Sequence, residues 1–443
     1  MKPYQVLLFI AAVMACMAAL CVALPERIVW GEEELRWPTL AEVFDAEPIQ
    51  DGFDEEDYGW EVDTIGTLDT LNILAALDTI SEPVQSTPIE PVPHVPVDST
   101  TDSRIYLSAF YASLPQTGER VVRVMHYGDS QIEEDRITQQ IREQLQQRYG
   151  GQGVGLMPLA QTIPSRSVKQ ELRMNGRVVN PYHGPQRYLS YASKQLQRAD
   201  GRYGMMGQMV MMDNELASGS EELMTICVPQ TQSAHYSRWR VFADSTIRYR
   251  FSGDTVWLNG RGAVYGLSQE CEKGIIVDNI PMRGCLGLVF TKMDSALLKS
   301  FYRDENVKLI ILQFGGNAIP FNEKPGTIQS IVRGLRGQVR YIRACAPQAG
   351  ILFVGPSDMA RLTDGQWQTY SMVPYMDNML RKMAQEEQIA YFSLYQWMGG
   401  SGSMMRWQEA GLACNDGVHF YRSGARKAGN AIADWILEGV NNE

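Results

Sequence analysis

Histidine and cysteine are scarce in this chain, and neither clusters. There are five histidines and seven cysteines in 443 residues, with no Cys/His spacing of the kind that builds a structural zinc site. No metal and no other cofactor is expected. Positive charge is also short: 40 Lys and Arg stand against 51 Asp and Glu, a formal charge of −11. Such a surface gets no broad attraction to phosphate backbones, so nucleic acid is not an expected partner. No internal repeat stands out. With 44% apolar and 21% charged residues, the chain has the composition of a globular protein with a sizeable core.

The acidity is uneven. Residues 31–70 carry fourteen Asp and Glu and only Arg36 against them, so the remainder is close to neutral. Residues 82–100 hold five prolines, which favours an extended, solvated backbone. Together they predict an acidic, Pro-rich linker over 26–101, with a short amphipathic helix near 66–80. His94 falls in it as a bystander. Residues 4–24, YQVLLFIAAVMACMAALCVAL, form the one long hydrophobic run, about one bilayer crossing without a charge. It reads as a transmembrane anchor or a signal peptide over 1–25, with the anchor favoured because the run is long and no small-x-small site precedes Pro25. The expected location is outside the cytoplasm, periplasmic, tethered to the inner membrane by 4–24.

Beyond residue 102, strands alternate with helices. Apolar runs at 121–127, 307–314, 350–355 and 389–395 are predicted strands; helical spacing follows over 131–148, 326–345, 370–388 and 423–438. This is the pattern of an α/β domain with a parallel sheet covered on both faces. Residues 165–280 break the rhythm with short alternating segments between Gly, Asn and Asp, as expected of an all-β insertion. Cys271 and Cys285 are either a bridged pair or plain buried thiols. Trp239 and Trp257 in the insertion are candidates for a sugar platform, although aromatics at strand spacing more often fill a core. His126 reads as a satisfied core or strand-end residue, and His183 and His235, in the insertion, as structural or surface residues.

In an open parallel sheet, ligands gather at the carboxyl ends of the strands. Three polar groups fall at such ends or just before the last helix: Ser130 after the first strand, Asn317 after a middle strand, and Asp416 with His419. A serine becomes a nucleophile when a base takes its proton and an acid orients the base. Asp416 and His419, three residues apart, suit those two tasks. The Ser130 N–H, a glycine N–H and the Asn317 amide suit an oxyanion.

The segments HYGDSQ (126–131), QFGGNA (313–318) and NDGVHF (415–420) resemble, in order and placement, blocks one, three and five of the SGNH/GDSL hydrolase superfamily. VDNIPMRGC (277–285) is the best match to block two. The resemblance covers roughly 104–170 and 275–440. It implies a three-layer, flavodoxin-like SGNH-hydrolase fold over 102–443. It also implies roles: Ser130 as nucleophile, His419 as base, Asp416 as its orienter, and Ser130, Gly284 and Asn317 as the oxyanion hole. The β insertion and exported start are similar to bacterial cell-envelope members such as peptidoglycan O-acetylesterases, as is GGQGVGLMPLA (150–160). Gln131, where some of those esterases have histidine, and Ala318, where many members have an acidic residue, depart from the pattern. The implied activity is an exported esterase removing O-acyl groups, acetyl above all, from an acylated envelope or extracellular glycan. An O-acetyltransferase using the same triad, and a non-catalytic glycan-binding protein, are the alternatives.

Overall fold

The structure, a computed structural model, describes residues 102–159, 164–174, 223–231, 236–320, 322–363 and 365–440, and the backbone of short strands at 27–30, 33–36, 177–178, 189–191 and 210–212. The expected anchor at 4–24, most of the acidic and Pro-rich stretch, the helix near 66–80, and His94, His183 and His235 lie outside the described residues. Among the described residues, no helix is long and apolar enough to cross a membrane. Within the expected linker, Arg27–Trp30 pairs antiparallel with Glu33–Arg36.

Five strands make the central sheet: β1 (Val121–Gly128), β2 (Gly274–Pro281), β3 (Val307–Gln313), β4 (Gly350–Val354) and, after a small hairpin of β5 (Ala360–Thr363) and β6 (Gln366–Thr369), β7 (Ala390–Phe392). The order is β2-β1-β3-β4-β7, and every neighbouring pair is parallel. That is the flavodoxin-like order, and its reversal point lies between β1 and β3.

The helices are α1 (Thr138–Tyr149), α2 (Ser295–Asp304), α3 (Pro325–Cys345), α4 (Met372–Glu387) and α5 (Arg422–Val440). Alternation along each strand feeds two cores. Val122, Val124, Leu309, Ile311, Leu352 and Val354 face α1 and α5. Met125, Tyr127, Ile310, Leu312, Ile351 and Phe353 face α2, α3 and α4. In α3, Pro325 opens the helix, where its missing N–H costs nothing. Ile328, Ile331, Val332, Leu335, Val339 and Ile342 then return to one face at helical spacing. Asp294 caps α2 by accepting from the Ala296 and Leu297 amides.

Between α1 and β2 the chain builds two antiparallel five-stranded sheets. Leu172, Trp239, Val256, Leu258, Val264 and Leu267 are among the residues buried between them. This is the expected all-β insertion, but not at 165–280. Its strands begin at Gly155–Met157, which pairs with Gly262–Glu270. They end at Glu270, because Gly274–Pro281 is strand β2 of the parallel sheet. The confusion has a physical cause: this edge strand is buried along most of its length, and its run Ile275, Ile276 and Val277 looks like sandwich core.

Other expectations also shift. The helix expected at 131–148 starts at Thr138. Ser130–Asp135 is instead a 3-10 turn broken at Glu134 and Asp135, which stand at φ 59° and 64°. The last strand shortens to Ala390–Phe392 because Ser393 caps a short helix, Leu394–Met398. Cys271 and Cys285 are buried free thiols, not a bridge. Trp239 is a core residue, 5% exposed, with its indole N–H on the Gly253 carbonyl, so it offers no platform. The ring of Trp257 is covered by the Arg250 guanidinium, 4.0 Å from its centre.

Candidate active site

The site is built where β1 and β3 end. The Asp129 amide donates to the Gln313 carbonyl at 3.2 Å, which fixes the chain as it leaves the sheet. The Asp129 carboxylate then accepts from the Gln131 amide at 3.0 Å and caps the turn that Ser130 opens. Ser130 is thereby held half-buried at the carboxyl end of the sheet.

The imidazole comes from the other end of the chain. Cys414–Phe420 is a tight loop before α5, closed by the Cys414 amide on the His419 carbonyl at 2.8 Å. Asp416 Oδ1 accepts from the Val418 and His419 amides at 2.8 and 2.9 Å, and Oδ2 lies 2.6 Å from His419 Nδ1. His419 Nε2 is 2.9 Å from Ser130 Oγ. The three expected triad residues therefore form one hydrogen-bonded chain. With Nδ1–H donated to the carboxylate, Nε2 is left to accept the serine proton. Burial opposes ionisation of Asp416, but the hydrogen bonds from His419 and the two amides hold its carboxyl below the ordinary value. Gln131 steadies the same loop, since its Nε2 donates to the Val418 carbonyl at 2.7 Å.

The expected oxyanion donors sit across from this loop. Asn317 follows β3 in the Gly316–Ala318 turn; its Nδ2 faces Asp129 Oδ2 at 3.1 Å and the Cys285 carbonyl at 3.3 Å. Gly284 stands at φ 70° in a turn closed by the Cys285 amide on the Met282 carbonyl at 3.0 Å. That turn leaves β2 beside the nucleophile strand, with the Met282 amide on the Gly128 carbonyl at 2.8 Å. Arg283 ties it to the nucleophile turn through a two-pronged pair with Glu133, at 2.9 and 2.7 Å. In this state the Asn317 amide is directed to Asp129 and Cys285.

Sequence reasoning missed three residues here: Asp129, Glu133 and Arg283. Asp129 is buried, and burial pushes its carboxyl up to about 6 even though the Gln131 amide favours the charge. Burial likewise raises Glu133 against the pull of Arg283. A run of three acids after a serine reads as a solvated surface. Each is in fact paired with arginine: Glu133 with Arg283, Glu134 with Arg136 and Arg166, Asp135 with Arg142. Arg136 and Arg142 lie close by in sequence, but nothing local announces Arg166 and Arg283, 32 and 150 residues away. His126 is fully buried between Gln313 and Thr138, and burial pushes it down to about 3, so it is a neutral structural residue as expected.

A solved structure of a peptidoglycan O-acetylesterase is similar over 78% of this chain and 98% of its own, with a TM-score of 0.58 and 19% identity. The fold is that of the SGNH hydrolases. The motif resemblance thus stands at the level of the fold. A carbohydrate acetylesterase from Sinorhizobium meliloti matches over 37% of this chain and 79% of its own, at 17% identity and a TM-score of 0.27. No protein-family model matches the chain, and no curated protein matches it.

Proposed function

We propose that this protein is a serine esterase that removes O-acetyl groups from an exported polysaccharide, with Ser130, His419 and Asp416 as its triad. The observation that carries the reading is the unbroken Ser130–His419–Asp416 hydrogen-bond chain at the reversal point of the sheet. The peptidoglycan O-acetylesterase with the same fold supports the substrate class. Ser130 Oγ attacks the ester carbonyl while His419 Nε2 takes its proton, and Asp416 stabilises the imidazolium that forms. The alkoxide that develops on the carbonyl oxygen is met by the Ser130 and Gly284 amides and by the Asn317 amide, which turns from Cys285 toward it. His419 then gives its proton to the departing sugar oxygen, which leaves as the alcohol; water, losing a proton to His419, attacks the acetyl-serine, and that proton returns to Ser130 as acetate leaves. The run at 4–24 supports export and tethering, which keeps the catalyst beside an extracytoplasmic glycan.

S130A lowers kcat on p-nitrophenyl acetate by at least about a thousandfold and leaves the thermal midpoint within a few degrees of wild type. A fluorophosphonate probe labels the wild-type peptide containing residue 130. An S130A variant that still hydrolyses the ester removes the reading. Transfer of acetyl to an added glycan, in place of acetate release, would make the protein a transferase.

A further inference from the structure

The β5–β6 hairpin has no part in the chemistry described above, yet it sits between the two loops that form the site. At its base the Ala360 amide donates to the carbonyl of Gly417, the residue between Asp416 and Val418, at 2.8 Å. At its other side Arg361 pairs with Glu323, just beyond the Asn317 turn, at 2.6 Å. The hairpin thus spans the rim from the imidazole loop to the Asn317 loop.

Its exposed face is unusual. Leu362 and Trp367 are a direct cross-strand pair, so both side chains stand on one face. They are 60% and 38% exposed, on a rim where a large apolar side chain gains nothing from water. The indole is not loose. Gly417 has φ 73°, and a Cβ there would come within 2.7 Å of Trp367 Cζ3 and 2.3 Å of the Ala360 carbonyl oxygen. One edge of the ring therefore lies against the loop that carries His419, while 38% of the residue stays exposed.

We propose that Trp367, with Leu362 beside it, is a docking platform for a pyranose ring of the substrate, seated next to the residue whose ester is cleaved. An indole has only two side-chain torsions to fix, and this one is already fixed, so stacking a sugar on it costs little ordering. The C–H face of a pyranose matches one ring plus one leucine in size. The other face of the hairpin carries Arg361, Thr363, Gln366 and Gln368, so the apolar patch ends after a single pair. A long acyl chain needs a continuous apolar channel; a sugar ring does not.

The proposal rests on the esterase reading, and the experiment separates the two. Wild type, S130A, W367A and W367F are assayed on p-nitrophenyl acetate, on p-nitrophenyl octanoate and on O-acetylated peptidoglycan fragments. The expected result is a KM on the glycan raised about tenfold more by W367A than its KM on p-nitrophenyl acetate, with W367F recovering most of the loss. Equal losses on glycan and aryl acetate would make Trp367 a prop for the His419 loop and overturn the platform. So would a glycan KM that W367A leaves unchanged, a wild type that cleaves the aryl acetate but not the glycan, or a loss greatest on the octanoate. Hydrolysis of p-nitrophenyl acetate by S130A is the separate outcome that removes the esterase reading itself.

Discussion

Asp129 is the residue on which most of the site leans. Its two carboxylate oxygens hold the Gln131 amide on one side and the Asn317 amide on the other, so it registers the Ser130 turn against the Asn317 turn. Buried with its carboxyl at about 6 rather than 3.8, it is more easily protonated in the folded chain than in the unfolded one. Its contribution to stability is therefore fully present below about pH 4 and is lost as pH rises through about 6. Urea unfolding of wild type and D129N should show a stability difference, wild type minus variant, that falls between about pH 4 and 7 and is flat above. A difference independent of pH would mean that this carboxyl titrates alike in the folded and the unfolded chain. Ser130, Asn317, Asp416 and His419 were legible because each lies in a short motif at a strand end or before a helix. Asp129 was on the page within the same motif, but its burial depends on Asn317, distant in sequence, and no local pattern encodes that.

At the scale of elements, the turn after β1 is held in an uncommon shape. Glu134 and Asp135 are consecutive non-glycine residues in the left-handed region, a conformation that costs on the order of 1 kcal/mol or more each. Arginines hold them there, and Arg283 extends the same bracing to the Gly284 turn. R283A leaves the Glu133 carboxylate buried and unpaired, which is the expensive way to break such a pair. The expected outcome is a kcat on p-nitrophenyl acetate reduced about tenfold and a lower thermal midpoint. The double variant E133Q/R283M, with no charge left to bury, should recover the midpoint but not kcat. Recovery of both would mean that the pair acts only on stability. The helix expected from residue 131 failed here for the same reason. Ile132, Ile137, Ile141 and Leu145 do share a core, but the ion pairs override helical spacing before residue 138.

At the scale of the molecule, the β insertion meets the parallel sheet through buried charge. Arg123 of β1 pairs with Asp278 of β2 and with Glu270 at the end of the insertion, and all three side chains are fully buried. Burial pulls the affinity of the guanidinium for its proton down, but the surrounding carboxylates raise it well above the ordinary value. R123M leaves the buried Asp278 carboxylate without its cation, while Glu270 keeps Arg238 and Arg240, and should destabilise the protein by about 3–5 kcal/mol, read as a lower midpoint in calorimetry. A neutral outcome would show that the two parts are joined by apolar contact alone. The alternation of strands and helices made the α/β layers legible. The insertion's boundaries were not, because β2 is buried along most of its length and its Asp278 faces Arg123 rather than water. The pairing of residue 130 with residue 419 has one more consequence. The two groups are 289 positions apart, so an emerging polypeptide carries the Ser130 hydroxyl without its imidazole until residue 419 has been made. Any break of the chain between them parts the proposed nucleophile from its base.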